Sequence, residues 1–231
     1  MSDLNDRSQM SNFHCRICAS PDFEVAWELA PSPYGDLFRT SARQAQMLPL
    51  VGLTLVICRV CHLLQIIQEV DAEEIYSDYL YQSSVTSGLA SYYLRLSSQL
   101  IAQFGLHEND LVIDVGSNDG TGLKPFRDRN LRVLGIEPSR GPASAAVAAG
   151  IPTLNTFLNE DAIASTIADH GSAKLVYANY VAANVPDPLA FFSADFHAAS
   201  LTLVLGELVA ESSVAPPGDG DGGEFGLAEH G

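Results

Sequence analysis

Leu111-Val112-Ile113-Asp114-Val115-Gly116-Ser117-Asn118-Asp119-Gly120-Thr121-Gly122 is the stretch whose reading decides the fold. A short apolar run ends in an acid and enters a glycine-rich turn. A buried strand that runs into such a turn and then into a helix is the opening of a nucleotide-binding βα unit. Gly116 lets the backbone turn sharply, and Gly120 and Gly122 allow close approach at the start of the following helix. The glycines do not fall as G-x-G-x-x-G, which disfavours NAD or FAD, whose pyrophosphate needs that spacing at the helix N-terminus. No Gly-Lys-Ser/Thr follows, so the loop is not a P-loop.

The next apolar run closes with Gly135-Ile136-Glu137-Pro138. An acid at the end of the second strand is placed to accept hydrogen bonds from both ribose hydroxyls. Asp114 at the first strand and Glu137 at the second, without a phosphate cradle, suit a nucleoside ligand that carries no phosphate. S-adenosylmethionine is a ligand of that kind.

Downstream the alternation continues. Strands are predicted at 111–115, 132–136, 174–178 and 201–205, and helices at 121–129, 140–149, 159–169 and 187–199. Strands alternating with helices give an α/β fold, a parallel Rossmann-like sheet covered on both faces, with the ligand at the carboxyl ends of the strands.

Upstream, Leu89, Tyr93, Leu96, Leu100 and Phe104 recur at helical spacing and predict an amphipathic helix over 89–104. Before it, Asp71 precedes Glu73 and Glu74 as a helix cap with early acids. The segment 78–87 is dense in tyrosine and hydroxyls. Tyrosines at helical spacing belong to a core as readily as to a ligand site, and this cluster is also placed to cover a pocket.

The chain has four cysteines, all in two C-x-x-C pairs, Cys15/Cys18 and Cys58/Cys61. Four thiolates from two tight turns meet the tetrahedral demand of Zn²⁺, and a site closed by four thiolates holds a fold together and leaves no open position for chemistry. A redox C-x-x-C is the alternative, and His14 and His62 are neighbouring substitute ligands. Short strands are predicted at 23–29, 53–57 and 63–67, with Pro31, Pro33 and Gly35 marking a loop between them.

Composition sets the remaining bounds. Hydrophobic residues are 47% of 231, enough for a proper core. Twelve Lys+Arg against 28 Asp+Glu give a formal charge of −16, which disfavours nucleic acid and anionic membranes as partners. The N-terminus lacks the apolar run of a signal peptide, and no stretch reaches the roughly 18 apolar residues of a membrane span, so a cytoplasmic location is expected. The expected organisation is a flexible lead-in (1–13), a zinc-binding domain (14–70), a helical cap (71–105), a Rossmann-like domain (106–209) and a disordered acidic Gly/Pro tail (210–231).

From Cys15 to about Phe192 the chain resembles the S-adenosylmethionine-dependent C-methyltransferases of nucleotide-deoxysugar biosynthesis. The resemblance is carried by the two C-x-x-C pairs, the 78–84 stretch, Asp114–Thr121, Gly135–Pro138, Gly150–Phe157 and Ala178–Asp187. It implies that Asp114, Gly116, Asn118 and Asp119 form the cofactor loop and that Glu137 holds the ribose. It implies that Asn155 and Phe157 lie near the adenine, Asn179 near the methionine portion, and Tyr76, Tyr79 and Tyr81 in a cap over the site. It also implies a small-molecule acceptor, a nucleotide-linked keto sugar. Two departures stand out. Asn184 occupies a position where the family commonly has His, and an amide is no base near neutral pH. The resemblance ends near Phe192, where the family continues into an acceptor-binding domain, so a truncated and inactive enzyme is expected, with an uncovered sheet edge that favours self-association. A non-catalytic zinc-bearing binding module and a zinc-containing nicotinamide dehydrogenase are the competing readings, the latter opposed by the glycine spacing.

Overall fold

The computed structural model describes residues 10, 12–33, 41, 48, 50–69, 71–77, 79–193 and 203–205. The cysteine region is an antiparallel sheet of β1 (Phe23–Pro33), β2 (Leu50–Cys58) and β3 (Leu64–Ile66), in that spatial order. Cys58 pairs with Phe23 and Ile57 with Leu64, so the carboxyl end of β2 is held between the starts of β1 and β3, beside the two turns that carry the cysteines. Val56 and Ile67 are buried beneath this sheet with Phe13, whose ring meets Phe23 edge-on at 5.3 Å. Phe13 therefore belongs to a core, although the sequence places it at the end of a flexible lead-in. The larger part of that lead-in, Asp78, and the 210–231 tail lie outside the described residues.

α1 (Ala72–Tyr76) starts where Asp71 caps it, its carboxylate accepting from the Glu73 N–H at 2.9 Å. A single 3₁₀ turn follows at Ser83–Val85, and then α2 (Leu89–Phe104). Gly88 and Gly105 bound α2 with φ of 84° and 56°, conformations that β-carbon-bearing residues avoid.

The remaining strands are β4 (Leu111–Val115), β5 (Arg132–Ile136), β6 (Thr153–Leu154), β7 (Leu175–Ala178) and β8 (Leu203–Leu205). The helices between them are α3 (Lys124–Arg127), α4 (Arg140–Ala148), α5 (Glu160–His170) and α6 (Pro188–Ser193). All pairings are parallel and the order is β6-β5-β4-β7-β8. β4 is buried along its whole length at the centre. Its alternating side chains feed two cores: Val112 joins Leu100, Leu123, Phe126 and Tyr177 on one face, and Ile113 and Val115 join Ile136, Ile163 and Val176 on the other. The chain winds one way from β4 to β5 and β6 and the other way to β7 and β8. That reversal opens a crevice outside the carboxyl ends of β4 and β7.

The predicted elements recur with small shifts, except that β1 runs on through Pro31 and Pro33, where a loop is expected, and that α3 is cut short. A helix over 121–129 is expected, and only Lys124–Arg127 is helical. Gly120 and Leu123 instead form tight turns, with the Gly120 carbonyl accepting from both Leu123 and Lys124, because the chain there is wrapping around the carboxylates of Asp114 and Asp119. The last predicted helix and strand are seen as Pro188–Ser193 and Leu203–Leu205, with 194–202 outside the described residues.

Candidate cofactor crevice and thiolate cluster

The crevice holds a cavity of about 1390 Å³ lined by the ends of β4, β5 and β7, the turn before α5, and the tyrosine segment. Gly116 sits on its floor at φ +73°, and a β-carbon there would clash with the Val181 side chain. Only glycine satisfies both conditions.

Glu137 directly follows β5, is 4% exposed and lines the cavity. Its Oε2 accepts from the Asn118 N–H at 2.9 Å and its Oε1 from the Ser139 N–H at 2.8 Å. Two backbone donors thus fix the carboxylate, and each oxygen keeps a lone pair for a further donor. Asn155 does not line the cavity. Its Nδ2 donates to the carbonyls of Glu137 and Pro138, both at 2.9 Å, and so it shapes the turn that presents Glu137. Phe157 does line the cavity.

Asn179, just after β7, lines the cavity and is 8% exposed, with both side-chain amide atoms buried and without a hydrogen-bond partner. A buried amide left unpaired costs about 1–3 kcal/mol per group, so this pair of atoms is poised for a polar ligand. Asn184 also lines the cavity, and its Nδ2 donates to the Tyr180 carbonyl at 2.9 Å. Among the described residues no histidine lines it.

Asp114 lies behind the floor, outside the lining. Complete burial, and secondarily the charge of Glu137, push its carboxyl well above the usual range. The Tyr177 hydroxyl approaches it without reaching hydrogen-bond geometry. Gly122 makes room for both, since a β-carbon there would lie 2.9 Å from the Asp114 Oδ2 and the Tyr177 hydroxyl. Gly122 therefore serves packing.

Asn118 lines the cavity and Asp119 does not. Asn118 stands in the left-handed region at φ 51°, which asparagine tolerates better than most residues. Its Oδ1 accepts from the Ser83 N–H at 2.8 Å and its Nδ2 donates to the Tyr81 carbonyl at 3.0 Å. Asp119 accepts from the Ser84 N–H at 2.9 Å and from Thr121 Oγ1 at 2.6 Å. Burial works to raise the Asp119 carboxyl, but the bonds from Ser84 and Thr121 outweigh it and hold it below the usual range. Tyr76, Tyr79 and Tyr81 all line the cavity, with ring centroids 5.7 and 6.2 Å apart in succession.

The four cysteine sulfurs lie within 4.8 Å of one another, Cys15 3.5 Å from Cys61 and Cys18 3.5 Å from Cys58. A tetrahedron with metal–sulfur bonds of ≈ 2.3 Å has edges of about 3.8 Å, so the spacing fits. The two knuckles are built alike. Ala19 and His62, each following the second cysteine of its pair, take φ of 55° and 62°. The N–H groups of Cys18 and Ile17 bond the Cys15 sulfur, and those of Cys61 and Val60 bond the Cys58 sulfur. Burial opposes ionisation of Cys15, yet these donors bring it down to about 6, with Gln65 and Cys61 helping. Cys18 has the Ser20 N–H in its favour, but burial and its three sulfur neighbours push it up to about 12. Four sulfurs this close ionise together only beside a cation. His14 and His62 stand outside the cluster.

Sequence reasoning missed three participants. Tyr93, read as core, is buried and also lines the cavity. The N–H of Ser139 fixes Glu137. Gln65 is buried beside Cys15, its Oε1 accepting from the Arg16 N–H at 3.1 Å. The helical spacing of Tyr93 was a visible signal for a buried face. Nothing local marks the other two.

A family model of the methyltransferase group, described as "Putative zinc binding domain", matches residues 15–76. The C-methyltransferase NovU of Streptomyces niveus is 27% identical over 173 residues, which are 75% of this chain and 41% of that protein. The chain thus spans about two-fifths of that relative's length. Among solved structures, magnesium protoporphyrin IX methyltransferase from Synechocystis with bound SAM is 18% identical over 46% of this chain and 52% of that one, with a TM-score of 0.37. An S-adenosylhomocysteine complex of a SAM-dependent methyltransferase from Geobacter sulfurreducens is 16% identical over 48% and 47%, with a TM-score of 0.34. The resemblance read from the sequence, to zinc-bearing C-methyltransferases, is the one that the cysteine segment and the Streptomyces relative return.

Proposed function

We propose that this chain binds S-adenosylmethionine in the crevice at the ends of β4, β5 and β7, and that it is the methyl-donor part of a C-methyltransferase acting on a nucleotide-linked keto sugar. The observation that carries the reading is the pairing of Glu137 with Asn179 across the crevice. One is a fixed carboxylate with acceptor capacity to spare, and the other a buried amide with none of its bonds made. A ribose diol answers the first, and the amino-acid end of the cofactor, with both donors and acceptors, answers the second.

The roles follow from this placement. Glu137 holds the ribose hydroxyls, with Asn155 maintaining its turn. Phe157 supplies an apolar wall for the base. Asn179 receives the methionine portion, and Tyr76, Tyr79 and Tyr81 exclude water above it. When bound, the cofactor supplies an electrophilic sulfonium methyl. A cavity of about 1390 Å³ exceeds the roughly 300–1,000 Å³ of ordinary small-molecule sites, which leaves space for an acceptor beside the donor. C-methylation next to a ketone also needs a base. Asn184 is an amide tied to the Tyr180 carbonyl and supplies none. Asn184 therefore takes no part in proton abstraction, and donor binding is the step that the cavity's polar residues Glu137 and Asn179 support. Cys15, Cys18, Cys58 and Cys61 hold Zn²⁺ as a closed structural site.

Titration calorimetry with S-adenosylhomocysteine tests the cofactor reading. One site per chain with micromolar affinity is expected, weakened at least about tenfold in Asn179→Ala by loss of the paired amide. Absence of heat at millimolar ligand overturns it.

A further inference from the structure

The 3₁₀ turn Ser83–Val85 begins without a cap of its own: Gln82, at its N-cap position, makes no side-chain capping bond. Its first backbone donors are satisfied from elsewhere in the chain. The Ser83 N–H donates to Asn118 Oδ1 at 2.8 Å and the Ser84 N–H to Asp119 Oδ2 at 2.9 Å. Asn118 Nδ2 completes the junction by donating to the Tyr81 carbonyl at 3.0 Å. Two adjacent loop side chains thus perform in trans the capping that a helix start ordinarily receives from its own residues. The segment they seat includes Tyr81, two residues before the turn, whose hydroxyl lies 2.6 Å from Thr86 Oγ1 and whose ring continues the row of Tyr79 and Tyr76 over the cavity.

These side chains have little capacity left for a ligand. Asn118 Oδ1 accepts a second bond, from the Asp119 N–H at 2.9 Å. The other oxygen of Asp119 is taken by the N–H and hydroxyl of Thr121, and Asp119 does not line the cavity. Meanwhile the backbone N–H of Asn118 holds Glu137 Oε2. One residue therefore touches the ribose acid through its main chain and the tyrosine segment through its side chain.

We propose that Asn118 and Asp119 are positioning residues: they latch the 79–86 tyrosine segment over the crevice and set how long a nucleoside ligand stays there, without bonding that ligand through their side chains. The inference rests on the cofactor reading above. It predicts a kinetic phenotype, because removing a cover that is not part of the ligand's own contacts opens an exit and leaves encounter nearly unchanged.

Asn118→Gly tests this cleanly. Glycine accepts φ 51° without strain and keeps the N–H to Glu137, so what is lost is the latch together with the local bond from the Asp119 N–H. Amide exchange followed by NMR on the full chain should accelerate about tenfold or more at Ser83 and Ser84, with β4 and β5 unaffected. Stopped-flow binding should show S-adenosylhomocysteine leaving about tenfold faster, with an association rate changed less than about threefold. Asp119→Asn is the second variant. Its oxygen can keep Thr121 while its amino group faces the Ser84 N–H, so protection should fall at Ser84 and persist at Ser83. Unchanged protection at Ser83 and Ser84 in Asn118→Gly overturns the latch. So does lost protection with an unchanged ligand off-rate. Failure of the wild-type chain to bind S-adenosylhomocysteine overturns the cofactor reading instead, and the exchange measurement then still decides whether the turn is capped in trans.

Discussion

Two carboxylates five residues apart, Asp114 in β4 and Asp119 in the turn that follows it, respond to their surroundings in opposite directions. Asp114 is fully buried and its carboxyl titrates well above the ordinary value, so the fold accommodates its neutral form. Its unfavourable contribution is absent below the unfolded value of about 3.9 and grows as pH rises toward the folded one. Asp114→Asn replaces it with a neutral group of the same shape. Urea midpoints measured from pH 4 to 8 should therefore decline less steeply with rising pH in the variant than in the wild type, and parallel profiles would contradict this account. Asp119 is held below the ordinary range, so its contribution is present above pH ~4 and is lost as pH falls through the folded value. Glu137, which lines the cavity, and the clustered cysteines were legible as candidate site residues because a strand end and a C-x-x-C spacing are local signals. The partners of Asn118 and Asp119 were not, because Ser83 and Ser84 are engaged through their backbone N–H groups, and any residue other than proline offers one.

At the scale of elements, α2 was readable to the residue. Its apolar positions recur at helical spacing and its ends carry glycines in the left-handed region. One face carries Tyr93, Leu96 and Leu100 into the core beside β4, while Leu94 on the other face is 52% exposed. Leu100→Ala should cost about 2–5 kcal/mol in urea unfolding, the loss of transfer free energy plus a cavity. Leu94→Ala should stay within about 0.5 kcal/mol, and equal costs would contradict the packing. α3 was the poorest reading. Thr121, Gly122 and Pro125 are poor interior helix residues, and hydrogen bonding around Asp119 with tight turns at Gly120 and Leu123 takes up the chain before a helix starts.

Across the whole molecule, the thiolate cluster supports a core of its own. Phe13, Val56 and Ile67 form a group separate from the two cores around β4. A group this small holds together only with a staple. Metal removal by a chelator with a thiol-reactive mercurial should release one zinc per chain. Amide protection should then collapse at Cys58 and Ile67, which donate to the Leu63 and Thr54 carbonyls, while β4 and β5 keep theirs. Loss of protection throughout the chain would mean instead that the two regions fold as one unit. The amino-acid sequence by itself determined the α/β class, the order of the strands' appearance, the four thiolates and the acid at the end of the second strand. These rest on periodicity, on glycine placement and on residue chemistry, all of which act over a few neighbouring residues. Only the tertiary structure decided that Asp114 and Gly122 serve the floor, that Asn155 shapes a turn, that Asn179 is left with its amide unpaired, and that a loop caps a helical turn far away in the chain. Those outcomes depend on which backbone groups folding brings together and which it leaves without a partner. Spacing along the chain carries no record of that.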